Sequence, residues 1–434
     1  MGPKPKTPPG SQSPRPRLDE QIDLGHPLAR LAALIDWEEI ERSFGAHFAS
    51  TRGRPALSPR LVAGLLYLQH TFAASDEAVV NTWVENPYWQ HFTGETHLQT
   101  RAPIDPSSLT RWRRRIGEAG VETLLKVTID AAHRGGFVKK ASFERVIVDT
   151  TVMLKAIAHP TDSRLLERSR QHLIKAARQH GLSIRQTYSR IAPRLAAQVG
   201  RYAHARQFKR MKGALRTLRS RVGRVHREVA RQVGQLCEPA KTKLCELLAR
   251  TGRILTQRPK DKAKLYALHA PEVQCIAKGK AATPYEFGAK VSLATTHSEG
   301  FVVGMRSMPG NPYDGHTLPE TIEQVTILTE HKPTTAVVDK GFRSVEVEGV
   351  RILRSGQKRG ITRSLRAMIR RRSAIEPTIG HMKMDGRLSR NPLKGDLGDA
   401  IHAVMCGAGH NLSLMIAKLR QLAIVSPLVP VRAA

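Results

Sequence analysis

Acidic residues are scarce in this chain of 434 residues: 37 Asp plus Glu stand against 70 Lys plus Arg, a formal charge of +33. An excess of that size repels itself unless a polyanion is close, so nucleic acid is the first partner to consider. A merely soluble basic protein is the plain alternative. Cysteine is equally sparse. Cys237, Cys245, Cys275 and Cys406 form no C-x-x-C pair. No structural zinc site is therefore expected, and the count is too low for a disulfide scaffold, which points to a reducing compartment. No apolar run approaches the roughly 18 residues of a membrane span, so no membrane partner is expected. The segment Met1 to Arg17 is rich in Pro, Lys and Arg and lacks the apolar stretch of a secretory signal.

What is present divides the chain. Its length exceeds one ordinary core, and a hydrophobic fraction of 40% suffices for two or three domains. Residues 1–26 read as a disordered basic, Pro-rich tail. Residues 27–140 read as a helical domain. Ser58-Pro59 opens one of its helices, with Ser58 as N-cap. A helix opening at Asp105-Pro106 carries Arg111, Arg113, Arg114 and Arg115. Helix, turn and basic helix is the arrangement of a major-groove reader, although such a face can also be merely solvated.

Residues 163–283 differ in kind. From Arg164 to Lys264 there are 27 Lys plus Arg and 5 Asp plus Glu, an excess of 22 within the chain's 33. Two apolar lines, Ile184 to Tyr202 and Leu215 to Leu236, have the spacing of helix seams. They predict a hairpin of two long helices, the second ended by Pro239. Rows of Arg, including Arg219, Arg221, Arg224 and Arg227, are then left outside for phosphates. Solvated coiled-coil faces usually mix both signs, and this one does not.

Residues 141–162 and 284–415 read as an α/β domain, and residues 416–434 as a C-terminal tail. Val146-Ile147-Val148 is a short continuous apolar run, the mark of a strand buried on both faces, and it ends on Asp149. Thr335 to Val338 is a second such strand, ending on Asp339. Further strands are expected at 285–295, 300–305 and 345–353, with helices at 317–330 and 363–384. Pro377 should bend the last of these or restart it. If the two Asp-ended strands lie side by side and parallel, their ends are about 5 Å apart and the carboxylates repel unless a cation intervenes. Glu376 lies on a helix able to reach the same edge. Oxygen ligands without a Cys or His cluster suit Mg2+ or Mn2+, and two such ions about 3.5–4 Å apart serve phosphoryl transfer. Among competing acids, Asp314 reads as a turn residue and Asp162 as a helix cap. His316 and His381 read as hydrogen-bonding or DNA-facing residues, and Cys406 as core.

Three segments together resemble the DDE transposases, nearest to the insertion-sequence-five family of bacterial mobile elements. They are the strand of Asp149, Asp339-Lys340-Gly341-Phe342, and Arg372 to Lys383 with three residues from Arg372 to Glu376 and six from there to Lys383. Asn311 to His316 and Asn391 to Gly395 also resemble family segments. The resemblance implies a ribonuclease-H-like mixed sheet flanked by helices, with the basic helices inserted between its first two Asp-bearing strands. It implies that Asp149, Asp339 and Glu376 bind two divalent metals, and that Arg372 and Lys383 face DNA. It further implies a transposase that binds terminal inverted repeats, cleaves there and joins 3′ ends to target DNA, as a dimer, in the bacterial cytoplasm at the nucleoid. The family often has Tyr where this chain has Ile369 and Phe342. A metal-dependent nuclease and a non-enzymatic DNA-binding descendant are the alternative readings.

Overall fold

The computed structural model describes residues 16–48, 57–277 and 284–425. They fall into two compact units, Met1–Leu154 with Ala289–Ala434, and Lys155–Gly288.

In the first unit the helices are α1 (Leu18–Gln21), α2 (Pro27–Leu34), α3 (Trp37–Phe48), α4 (Pro59–Thr71), α5 (Asp76–Glu85), α6 (Pro87–Phe92) and α7 (Pro106–Arg134). Caps set several of their starts. Ser75 Oγ accepts from Ala78 N at 3.1 Å, and Asp105 Oδ1 accepts from Ser107 N at 2.9 Å ahead of Pro106. Ser58 occupies the cap position of α4, but its side chain makes no capping bond; Pro59 alone sets that start. The tail expected over 1–26 is corrected in part. Residues 1–15 lie outside the described ones, but Leu18 is 1% exposed and opens α1.

The first unit also holds β1 (Arg145–Lys155) up to Leu154, and the second unit holds α8 (Asp162–Gln179), α9 (Ile191–His204), α10 (Phe208–Gln232) and α11 (Ala240–Thr256). The strand β2 (Gln274–Ala277) pairs antiparallel with Tyr285–Gly288, the start of β3 (Tyr285–Thr296). Four helices therefore stand where two long ones were expected. Gly181 and Tyr188 adopt positive φ and delay the second helix to Ile191, and Arg206 at φ 55° turns α9 back into α10. The α10 seam is buried through Leu218, Val222, Val225 and Val229, against residues of α8, α9 and α11. It stops at Gln232, before Pro239, which precedes α11 instead. The cap of α8 is Thr161 rather than Asp162, accepting from Arg164 N at 3.4 Å.

The remaining elements return to the first unit: β4 (Val302–Met308), α12 (Asp314–Thr329), β5 (Thr335–Val338), β6 (Arg351–Arg354), α13 (Arg363–Arg370), α14 (Ile375–Met384), β7 (Arg390–Asn391) and α15 (Gly395–Val425). The seven-stranded sheet runs β2-β3-β1-β5-β6, with β4 on β3 and β7 on β1. The β3-β4 pair is antiparallel, whereas β1-β5 and β5-β6 are parallel. It is a mixed sheet flanked by helices. Val146, Ile147 and Val148 are all at most 1% exposed, as a strand covered on both faces requires. The strand expected over 345–353 shrinks to Arg351–Arg354, because Gly349 at φ 71° turns the chain and Val347 bridges back to Val350.

One hydrophobic core runs from Leu28 on α2 to Leu419 on α15, so the N-terminal helices share their interior with the sheet. The helix α15 extends through residues expected to be a tail. It has the length and composition of a membrane span, yet 78% of that stretch is buried within the protein, as a core helix is. Asn411 on α15 clamps the sheet: its Oδ1 accepts from Val302 N at 2.8 Å, and its Nδ2 donates to Val302 O at 2.8 Å and Thr128 Oγ1 at 3.1 Å.

Candidate active site

The site is assembled where β5 ends beside the middle of β1, which does not stop at Asp149 as the sequence suggested but runs on to Lys155. Their parallel register pairs Ile147 with Val337, so Asp149 within β1 and Asp339 just after β5, each two residues on, stand at the same level. After β6 the chain forms α13 and then a tight 3-10 turn, Arg371–Ala374, before α14 begins. The helix expected over 363–384 is thus broken ahead of Pro377, which stands in the first turn of α14, where its missing N–H costs no bond. Arg371 holds the turn in place: its Nε donates to His297 O at 2.7 Å and its guanidinium also reaches Ser298 O.

That anchoring aims Arg372 at the two aspartates. Its Nη2 lies 2.7 Å from Asp149 Oδ2, and its Nη1 lies 2.8 Å from Glu376 Oε1 and 3.9 Å from Asp339 Oδ1. One guanidinium therefore faces all three carboxylates. Asp149 and Arg372 are each 15% exposed at the side chain, whereas Asp339 and Glu376 are 44% and 62% exposed. Burial pushes the Asp149 carboxyl above its ordinary range. Arg372 and the Thr150 N–H, which donates to Asp149 Oδ1 at 2.8 Å, pull against it, and the charge of Asp339 adds to the push. A carboxylate raised despite an ion pair is one that an additional cation would stabilise.

A second set of contacts supports the first. Asp314, expected as a turn residue, is instead the first residue of α12 and is tied into the sheet. Its Oδ1 accepts from Lys290 Nζ at 2.8 Å and from Thr150 Oγ1 at 3.0 Å. Lys290 also donates to Pro312 O at 2.6 Å. The Tyr313 hydroxyl donates to Gly341 O and accepts from Arg343 N at 3.0 Å. The segment Asn311 to Asp314 is thereby fastened to the turn that follows Asp339. Lys290, Thr150 and Tyr313 were not singled out from the sequence. A lysine inside the apolar strand Ala289 to Leu293 was the available signal, since such a charge needs a buried partner.

The other expected residues are placed as follows. Lys383 is half-buried on α14, about two turns after Glu376. Arg111, Arg114 and Arg115 are exposed on α7, with Arg115 over the Trp112 ring. Arg113 is 4% exposed and bonds Asp76 at 2.5 Å and Gln69 at 2.7 Å. It is removed from the basic face, because it points inward from the helix. Arg224 and Arg227 are exposed on α10, while Arg219 and Arg221 are half-buried, Arg221 lying over the Tyr188 ring. His381 pairs with Asp385 at 2.7 Å, and His316 lies against Tyr313. Phe342 is 1% exposed, a position where a phenyl ring needs no polar partner.

Two domain families match the chain in order: "Transposase domain (DUF772)" over residues 16–115 and "Transposase DDE domain" over residues 256–412. The second contains Asp339, Arg372 and Glu376, while Asp149 precedes it. The chain is also similar to "Uncharacterized protein ORF8 in nfe locus" of Rhizobium meliloti, 51% identical over 194 residues, which are 45% of this chain and 93% of that protein. No solved structure matches. With both transposase domains present in one chain, and a near relative aligned over almost its whole length, the chain belongs to the insertion-sequence DDE transposases.

Proposed function

We propose that the protein binds the terminal inverted repeats of its own mobile element, cleaves DNA at those ends and joins the 3′ ends to target DNA. It would do so as a dimer, since two ends must be paired, and in the bacterial cytoplasm at the nucleoid. The observation that carries this reading is the convergence of Asp149, Asp339 and Glu376 on the Arg372 guanidinium beside two parallel strands. The mixed sheet, with β4 antiparallel on β3 and β1, β5 and β6 parallel side by side, supports a ribonuclease-H-like core.

The donor set fits hard divalent cations. It consists of carboxylate oxygens without His or Cys, two of them substantially exposed, and the most buried one is raised by burial. Asp149, Asp339 and Glu376 would hold two Mg2+ or Mn2+ ions. Bound there, such ions activate an attacking oxygen and stabilise a leaving one in phosphoryl transfer.

The protein's own residues supply the rest. Arg372 balances the carboxylates, and its planar fork matches a DNA phosphate once they are neutralised otherwise. Lys383 extends the positive face along α14. The Lys290-Asp314-Thr150 chain fixes the middle of β1, and with it the direction of Asp149. Arg111, Arg114 and Arg115 on α7, and Arg219, Arg221, Arg224 and Arg227 on α10, carry phosphate contacts along the duplex.

The test is a strand-transfer assay on labelled element ends with Asp149→Ala, Asp339→Ala and Glu376→Ala. Loss of both cleavage and joining is expected in each. Full activity in any one removes that residue from the mechanism, and cleavage without joining in the wild type selects a nuclease instead.

A further inference from the structure

Away from the carboxylates, three soft ligand groups meet in the interior of the first unit. His70 lies near the end of α4, and His402 and Cys406 lie one turn apart on α15. Their ligand atoms are all within 4.8 Å of one another, and each residue is at most 5% exposed. We propose that these residues form a transition-metal site of the Zn2+ type, distinct from the carboxylate centre and joining α4 to α15.

His70 presents an unpartnered ligand atom where an ion needs it. His70 Nδ1 lies 2.9 Å from Leu66 O, so it donates there and Nε2 keeps its lone pair. That Nε2 is buried and has no hydrogen-bond partner, an arrangement that costs free energy unless something occupies the position. His402 Nε2 lies 2.9 Å from Arg387 O. A backbone carbonyl on the far side of the imidazole, as Leu66 O is for His70, is the usual orientation of zinc-binding histidines. The two rings are 5.6 Å apart.

The helices are pressed together at this point by Gly409. A Cβ there would come within 2.8 Å of the His70 backbone and side chain, so only glycine lets α4 lie this close to α15. Around Zn2+ at about 2.0–2.3 Å, ligand atoms stand about 3.5 Å from one another, and small side-chain rotations close the remaining gap. His70 and Cys406 also line a cavity of about 280 Å3, with His381, Asp385 and His410 on its wall, which leaves room for a water as fourth ligand.

Charge selects among ions. Arg387 and Arg113 both bear on His70, though Arg113 is compensated by Asp76. A dication is tolerated there only with an anionic ligand. Cys406 supplies it: the sulfur–metal bond forms as the S–H bond breaks, and one proton leaves to solvent while both imidazoles bind neutral. Without a metal, burial pushes the Cys406 thiol up to about 12 and holds His70 well below its ordinary value, so neither is charged. Cysteine spacing gave no hint of this site, because its ligands come from two helices and only one is a cysteine.

Cobalt reports the site directly. In the full chain with Cys237, Cys245 and Cys275 replaced by Ser, Cys406 is the sole thiol. One equivalent of Co2+ should produce a thiolate-to-cobalt charge-transfer band together with d–d bands of tetrahedral intensity. Zn2+ should abolish both, and excess Mg2+ should leave both unchanged. No charge-transfer band from the folded sole-thiol protein overturns the proposal without any variant at the site. In the same background His70→Gln should lose most of the band while circular dichroism stays native. A folded His70→Gln protein that retains the full band also overturns it.

Discussion

Arg372 donates to Asp149 at 2.7 Å across 223 residues of sequence. The same guanidinium is the nearest cation to Glu376 and Asp339. It acts as the counter-charge that lets three acids share one edge of the sheet. Its Nε is buried without a partner, so the geometry is set by the carboxylates rather than by the arginine's own full hydrogen bonding.

Replacing Arg372 by Ala should therefore act in two opposite ways. In chelator the variant should lose about 1–3 kcal/mol, because Asp149 is left buried beside Asp339 without its partner. Added Mg2+ should raise its Tm by more than it raises the wild type's, since the competing guanidinium is gone. Thermal unfolding of both proteins in EDTA and in Mg2+ measures this. Equal increments would show that arginine and metal do not compete for the carboxylates.

The two helical ends of the Arg113 contact make a sharper contrast with its neighbours. Arg113→Ala breaks a buried ion pair and should cost about 3–5 kcal/mol of stability. Arg111, Arg114 and Arg115 are exposed, and their replacement should leave stability nearly unchanged. Each phosphate contact they make should reduce the salt slope of DNA binding by about 0.9. Urea unfolding and a salt titration of binding separate the two effects. A stable Arg113→Ala protein would contradict the buried pair.

Asp76 gives the pH dependence of that pair. Burial alone would raise its carboxyl, but the hydrogen bond and charge of Arg113, with Gln69 and Arg387, outweigh burial and hold it below the ordinary range. A depressed carboxylate contributes stability above its unfolded pKa of about 3.9, and this is lost as pH falls through the lower folded value. The stability gap between wild type and Asp76→Asn should be constant near neutrality and should narrow as pH drops below about 5. A gap that widens toward acid would reverse the assigned sign.

These contacts also mark the boundary of what the sequence discloses. Val146 to Val148 and Thr335 to Val338 are legible because a strand covered on both faces is apolar without alternation, and the acid that follows each run stands out; that β1 continues past Asp149 to Lys155 was not legible. The seam of α10 is legible because helical spacing is a local property. Arg113 looked like its neighbours because its partner Asp76 lies 37 residues away, and only packing shows which face turns inward. Asp314 looked like a turn residue because Lys290 and Thr150 reach it from two other strands. The number of helices in the second unit depended on single left-handed residues such as Arg206, where glycine would have been the usual sign of a turn.

Asn411 tests the joint between α15, α7 and β4. Its amide satisfies both backbone groups of Val302 and reaches Thr128, all within the core. Asn411→Ala should cost about 3 kcal/mol, since several buried polar groups lose their partner at once. Asn411→Asp should also destabilise, because a carboxylate cannot donate to Val302 O. Hydrogen exchange at the Val302 amide provides the local readout, and it should accelerate in both variants beyond the change at β5. Uniform acceleration across the sheet would mean that the residue serves global stability only, without fastening the start of β4.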